Sequence, residues 1–329
     1  MPARLQIREI AARQGERTQG WLTIGETPAG PLRVPLVLIN GRTDGPTLCI
    51  TAGVHAAEYA PIDAAMRLLG TIQPDTLRGA VIVVPVTNMR MFEHRAGFVS
   101  PLDGLNLNRI APGRKDGSIS EILADVLLRE VIGASEYHID LHAGDLGELL
   151  LPFAGYALTG RRELDEKGEA LARAYTPSLI SLATPDGTIP PFPGSLNFSA
   201  TRNGVVSILG ESGGNGTLEE ADVQTHLQGV QNIMRYLGMI DGGPPVNGPR
   251  ISARDRIVLR AARAGLVHVG VRIGDQISTG QEVAVIRNVF GDVVERMCAP
   301  GSGIAGLIWT HKVVNTGDPV VRYWITEPA

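Results

Sequence analysis

Two cysteines, Cys49 and Cys298, are all that the 329 residues contain. No disulfide framework can staple such a chain, and a reducing cytoplasm is the expected setting. Neither sign of charge dominates: the formal net charge is −4, with no block of consecutive Lys and Arg. That argues against nucleic acid and anionic membrane surfaces as partners. Long apolar runs are missing too. Stretches such as AVIVVPV (80–86) are far too short to cross a bilayer. Residues 1–20 mix charged with apolar side chains and lack the continuous apolar region of a secretory signal. Tandem repeats and low-complexity tracts are absent as well.

What is present reads as an ordinary globular chain, 43% apolar and long enough for about two domains. The clearest break is GMIDGGPPVNGPR (238–250), where Gly and Pro cluster as in linkers. The expected division is therefore an α/β unit over 1–240, a linker over 241–250 and a β unit over 251–329. In the first unit PTLCITAGV (46–54), GAVIVVPVTN (79–88), EYHIDLH (136–142) and GVVSILGE (204–211) are nearly continuous apolar runs, as in strands covered on both faces. Helical patterns separate them. Residues 60–70 carry Pro61 near the start and Gly70 at the stop. Residues 118–133 open with Ser118 and Glu121 at capping-box spacing, and residues 217–238 repeat it with Thr217 and Glu220. In the last helix Val223, Leu227, Val230, Met234 and Leu237 share one face. This alternation predicts a mixed, mostly parallel sheet with helices on both sides, and the first forty or so residues read as extra edge strands.

Beyond the linker, residues 257–306 alternate in short runs punctuated by Gly, the pattern of a small all-β barrel or sandwich. The stretch GVRIGDQISTGQEVAVI is similar to lipoyl or biotinyl carrier domains. Those need a lysine at a hairpin tip, where this chain reads RNVFGDV. A carrier role is therefore not expected.

In open α/β sheets, sites form at the carboxyl ends of strands. His55 and Glu58 follow the first apolar strand, and His142 ends the EYHIDLH strand. Two imidazoles and one carboxylate are a ligand set of catalytic zinc, with a fourth position open. Residues three apart on a helical turn face the same way, so His55 and Glu58 can reach one ion. Taken singly, the pair also fits a solvated helix start and His142 a strand-end histidine. Asp140 lies on the face of His142 and can orient it; His138, deeper in the strand, reads as structural. The segment 91–113 holds Arg95, Asn108 and Arg109 in a Gly/Pro-punctuated loop. Two readings stand: local turns and ion pairs, or Arg109 as a bidentate clamp for a substrate carboxylate, Asn108 adding a hydrogen bond and Arg95 facing an oxyanion. Glu211 precedes a Gly-rich turn, as a turn acceptor or as a general base.

The order His-x-x-Glu, Arg…Asn-Arg, Asp-Leu-His, Glu-Ser-Gly-Gly resembles the succinylglutamate desuccinylase/aspartoacylase family, relatives of the zinc carboxypeptidases. DGLNLNRIAPG (103–113) is the most specific part of the likeness. The resemblance implies a zinc carboxypeptidase-like sheet with a C-terminal β domain, and one Zn²⁺ per chain held by His55, Glu58 and His142. It implies Glu211 as the catalytic glutamate, Asn108 and Arg109 on the substrate's carboxylate, and Arg95 on the scissile carbonyl. Two departures touch the pocket in this reading: Ala56 where the family has Gly, and Ala111 where it has an aromatic residue. The expected activity is hydrolysis of a small N-acyl amino acid, with a homo-oligomer as an open state. A metallocarboxypeptidase for short peptides and a non-catalytic binding protein are the alternatives.

Overall fold

The computed structural model describes residues 4–175, 179–183, 194–243 and 251–326. Residues 185–193 of the Pro-rich stretch PDGTIPPFPGSLN (185–197), which the sequence suggests as a pocket-lining loop, and linker residues 244–250 lie outside the described residues. The apolar runs of the sequence form the middle of a 12-stranded sheet. The N-terminal strands are β1 (Arg4–Ile7), β2 (Ile10–Arg13), β3 (Glu16–Thr27) and β4 (Gly30–Asn40). Then come β5 (Thr43–Ala52), β6 (Arg78–Val84), β7 (Tyr137–His142), β8 (Glu148–Ala157), β9 (Leu179–Ala183) and β10 (Val206–Gly214). The rest are β11 (Ile251–Arg260), β12 (Gly265–Val269), β13 (Gln276–Ile277), β14 (Glu282–Arg287), β15 (Val293–Cys298), β16 (Gly303–Trp309), β17 (Val313–Val314) and β18 (Pro319–Thr326).

Helices α1 (Tyr59–Thr71), α2 (Met89–His94), α3 (Ile119–Val126), α4 (Arg162–Tyr175), α5 (Leu196–Arg202) and α6 (Glu220–Tyr236) are interleaved with the strands. None is long and apolar enough to cross a membrane. The parallel core runs β6–β5–β7–β10, and β4 and β3 extend it antiparallel at one edge, as the N-terminal segment suggested. Alternation along each central strand feeds two apolar layers. Leu48 and Ile50 of β5, with Val81 and Val83 of β6, join the layer that includes residues of α1, α4 and α6. Cys49, with Ala80, Ile82 and Val84, joins the layer on α3 and α5.

Strands beyond the linker pair antiparallel with one another, β11 also joining β9 in parallel, and they divide between two sheets. β12, β14, β15 and β17 make a separate 4-stranded sheet, whereas β11, β13, β16 and β18 continue the large one. There β8 pairs with β9, β9 with β11, β11 with β18, β18 with β16, and β16 returns to β8. These pairings close a ring, so the sheet edge is removed by closure. Its inward residues come from both halves of the chain.

Two helix starts differ in an informative way. At α3 the capping box forms, the Ser118 N–H donating to Glu121 Oε2 at 2.7 Å. The last helix begins at Glu220, after Glu219 as its cap, because the Thr217 hydroxyl donates instead to Gly214 O at 2.9 Å and holds the turn after β10. The anticipated face of α6 is kept, with Val223, Leu227, Val230 and Met234 buried.

The Tyr175 ring at the end of α4 is wedged against Gly210 of β10 and Gly229 of α6. A Cβ at either glycine would meet the ring at 2.5 Å, and the Tyr175 hydroxyl is 2.6 Å from His226 Nδ1. Gly229→Ala should therefore destabilise the fold by about 1–3 kcal/mol through overpacking. On helix propensity alone the change would stabilise by about 1 kcal/mol, so the sign of the shift in denaturant midpoint decides between the two effects. Tyr175→Leu in the same chain should recover part of the loss.

Candidate active site

The site begins where β5 stops. Gly53 takes φ +67, a left-handed turn in which an added Cβ would press on Ile62 and on the Val86 backbone. The chain then loops through residues 54–58 before α1, and the Glu58 N–H donates to His55 O at 3.2 Å. His55 and Glu58 thus share a turn ahead of the helix, not its first turn, with Glu58 as the helix cap. Parallel register pairs Ala52 of β5 with Leu141 of β7, which carries His142 to the same end of the sheet. Glu58 bridges the two imidazoles, Oε1 lying 2.8 Å from His55 Nδ1 and Oε2 3.0 Å from His142 Nδ1. Oε2 also accepts the Ala143 N–H at 2.9 Å. All three side chains are buried, and their ligand atoms lie within 4.8 Å of one another.

Each imidazole is held from behind. His55 Nε2 is 3.0 Å from Asn106 Oδ1, and His142 Nε2 is 3.2 Å from Asp140 Oδ2. The Thr51 hydroxyl anchors Asp140 at 2.6 Å. The Asn106 oxygen behind His55 suits an N–H at Nε2, and both Nδ1 atoms face Glu58, where they would be the nitrogens presented to a bound ion. Oriented imidazoles plus a carboxylate are the donor set of a divalent metal site, and the residues fit one. The electrostatics agree. Burial alone would raise Glu58, yet the two histidines hold its carboxyl well below the usual range. Burial alone would lower His142, yet Asp140 and Glu58 hold it well above its ordinary value. The cluster demands positive charge. His138 differs: burial pushes it down to about 4, against the pull of Asp140. Its two nitrogens contact the Thr51 and Ser207 hydroxyls, so it serves as a neutral polar bridge inside the sheet.

Register also pairs Glu211 of β10 with His142 of β7. Burial drives the Glu211 carboxyl well up; His142 and Arg322 oppose this, and Glu58 and Glu148 add to it. Its Oε2 has no hydrogen-bond partner among the described residues. The metal-type cluster and Glu211 both line a cavity of about 450 Å³. Much of its wall comes from the ring: Glu148 and Phe153 of β8, Arg256 and Val258 of β11, Trp309 of β16 and Arg322 of β18. Arg109 lines it too. Burial lowers Arg256 to about 10, and the like charges of Arg322 and Arg109 add to the shift. Four arginines, Arg109, Arg256, Arg260 and Arg322, therefore line a pocket that also holds Glu211 and Glu148.

Of the residues singled out in the sequence, His55, Glu58, Asn108, Arg109, His142 and Glu211 come together around this cavity. Asn108 spends its Oδ1 on the Leu196 N–H at 3.0 Å, and Arg109 donates to the Asn108 carbonyl at 2.7 Å. Arg95 does not join them. It caps α2 in a left-handed conformation, φ 52, is exposed and lies outside the cavity lining. The turn it makes sends its side chain to solvent and brings Phe98 onto His55, ring centroids 5.3 Å apart. Ala56 and Ala111 also stay clear of the lining. Each is buried in one of the apolar layers, so neither departure reshapes the pocket wall directly. Sequence reasoning missed Asn106, Phe98, Glu148, Arg256 and Arg322. Asn106 sits two residues before Asn108 in the quoted motif; the arginines of β11 and β18 carry no local signal, because only ring closure brings them inward.

Residues 44–237 match the model of the succinylglutamate desuccinylase/aspartoacylase catalytic domain. The chain is 29% identical over 303 residues to the N-alpha-acetyl-L-2,4-diaminobutyric acid deacetylase of Halomonas elongata, covering 90% of this chain and 86% of that protein. Among solved structures it is similar in fold to the product-bound ectoine utilization protein EutE (DoeB) of Ruegeria pomeroyi. The TM-score there is 0.87 at 22% identity, covering 98% of this chain and all (100%) of that one. A succinylglutamate desuccinylase/aspartoacylase of Rhodobacter sphaeroides gives 0.84 at 23% identity, covering 95% and 96%.

If Asn106 fixes the His55 tautomer, Asn106→Ala should weaken binding of a divalent ion by about 10- to 100-fold. Titration with Zn²⁺ against a competing chelator measures it. Unchanged affinity would mean that the packed Phe98 ring alone orients His55.

Proposed function

The chain belongs to the succinylglutamate desuccinylase/aspartoacylase family, and from that premise we propose that it is a zinc-dependent deacylase of small N-acyl amino acids. The observation that carries this reading is the convergence of His55, Glu58 and His142 with Glu211 and Arg109 on one cavity. The relative from Halomonas elongata is named for a reaction of this class. His55, Glu58 and His142 would hold the ion. Zn²⁺ so held supplies a Lewis acid and acidifies water.

The chain's own groups do the rest. Arg109, charged and partly withdrawn from water, receives the substrate carboxylate and fixes the amide relative to Glu211. Glu211 takes a proton from the attacking water and returns it to the amide nitrogen as the C–N bond breaks. Its buried Oε2, without a hydrogen-bond partner among the described residues, suits a group that must carry a proton in one half of the cycle and release it in the other. With Arg95 turned to solvent, Arg256 and Arg322 are cavity-lining cations able to face negative charge that develops on the carbonyl oxygen.

A carboxypeptidase acting on peptides would need a groove open to a chain on the amino side of the scissile bond. A cavity of about 450 Å³ walled by ring strands suits a small molecule instead.

Glu211→Gln should lower kcat by about 10²- to 10⁴-fold while bound zinc stays stoichiometric. Arg109→Ala should chiefly raise KM. Both are read on a panel of N-acyl amino acids, with metal content checked by elemental analysis. Full activity in Glu211→Gln, or in chelated protein, would overturn the reading.

A further inference from the structure

Two residues of the turn and loop that follow α2 stand in the left-handed region, Arg95 at φ 52 and Phe98 at φ 60. For a bulky aromatic residue that backbone is strained, and it persists only where the surroundings enforce it. Core burial does not explain it here, because Phe98 remains 39% exposed. What the conformation achieves is the stack on His55, with the ring planes 24° apart, at the wall of the cavity.

The enforcing group is Asp145. Its Oδ2 accepts the Phe98 N–H at 2.7 Å, and its Oδ1 accepts the Leu146 N–H. The approach is so close that a Cβ at Gly97 would run into the carboxylate. Among the described residues these two backbone groups are the only hydrogen-bond partners of its side chain. Asp145 is buried, and withdrawal from water pushes its carboxyl up, Glu58 adding to the shift. A carboxylate in such a place is costly, and here it serves a backbone that would otherwise relax. Asp145 is itself anchored, its carbonyl accepting the N–H groups of Glu148 and Asn215, both at 3.0 Å. Asn215, also left-handed at φ 57, accepts the Thr310 hydroxyl at 2.6 Å through Oδ1. The turn after β16 thus braces the loop after β7, and that loop fixes Phe98.

We infer that Asp145 and Phe98 form a clamp on the metal-type centre, in which Asp145 is a positioning residue that holds the Phe98 ring against His55 and so sets the affinity for the ion. An imidazole held by one hydrogen bond can still pivot about it. Asn106 gives His55 its direction, and the stacked ring fixes its plane. A ligand oriented in advance loses less freedom when the ion binds. The clamp rests on the metal-holding part of the deacylase reading and adds what tunes it.

The test is a double-mutant cycle on the full-length chain, read as Zn²⁺ affinity against a competing chelator. Asp145→Ala and Phe98→Leu should each weaken zinc binding by about 10-fold. The double variant should lose about as much as either alone, because both changes act through one contact. Phe98→Tyr keeps the stacked ring and should keep the affinity. Thermal unfolding of the zinc-free proteins checks that each folds. Where Asp145→Ala does not fold, Asp145→Asn, with one acceptor left, takes its place in the cycle. Unchanged affinity in a folded single variant of the cycle, or a loss of roughly 100-fold in the double variant, overturns the clamp. So does a wild-type chain that takes up no Zn²⁺, which would also defeat the deacylase reading. The expected losses, in a protein whose wild type hydrolyses no N-acyl amino acid, would instead sustain the clamp and defeat that reading alone.

Discussion

A carboxylate held between two imidazoles and cut off from water is costly unless positive charge sits beside it. Glu58 is in that position, and the rest of the site is arranged around the demand it creates. Its two oxygens divide between His55 and His142, and the backbone N–H of Ala143 takes up further acceptor capacity. Asp140 adds a second negative group behind His142. Without a metal the balance is met by protonated imidazole, which is why His142 is held so strongly in its charged form. A divalent ion would meet the same demand with more charge, and its binding would expel a proton from the cluster. The donor set thus suits a cation before its identity is considered.

That arrangement is a product of strand register. β5, β7 and β10 run parallel and side by side, so their carboxyl ends deliver His55, His142 and Glu211 to one edge without any long-range search by flexible loops. On the central strand β7, Ile139 and Leu141 enter an apolar layer, whereas His138, Asp140 and His142 point the other way. Inside the sheet Thr51 and Ser207 contact the two nitrogens of His138, and the Thr51 hydroxyl donates to Asp140 Oδ1. A one-residue slip would exchange the two sets, placing three polar groups in the hydrocarbon layer. Burial of the apolar set and preservation of the site are one constraint.

This explains which parts were legible in the sequence. Strand ends are visible because nearly continuous apolar runs stop there, so His55, Glu58, His142 and Glu211 stood out by position, while only their conjunction and the family resemblance gave them roles. Asn108 and Arg109 were visible through a short motif. Arg95 misled because distance along a loop does not fix direction: a left-handed residue at the end of α2 reverses the path, and Phe98 arrives where an arginine was expected. Thr217 misled for a related reason, its hydroxyl having a competing acceptor in the turn after β10. Arg256, Arg322 and Trp309 were invisible, since inward and outward positions on a short strand are equivalent until the strand has a partner.

The ring formed by β8, β9, β11, β18 and β16 therefore has two consequences that are physically inseparable. It removes the exposed edge that an open sheet of this length would present. It also turns alternate residues of the late strands into pocket wall, where Arg256, Trp309 and Arg322 face groups supplied by the first half of the chain. The cluster at the end of β5 and β7 depends on close hydrogen-bonded contacts that tolerate little change. The ring wall depends only on alternation, so its inward side chains can vary without disturbing the pairing that closes it. The metal-type cluster and the variable wall are thereby placed on different parts of one continuous sheet, so a substitution on the inward side of the ring would alter the cavity without touching His55, Glu58 or His142.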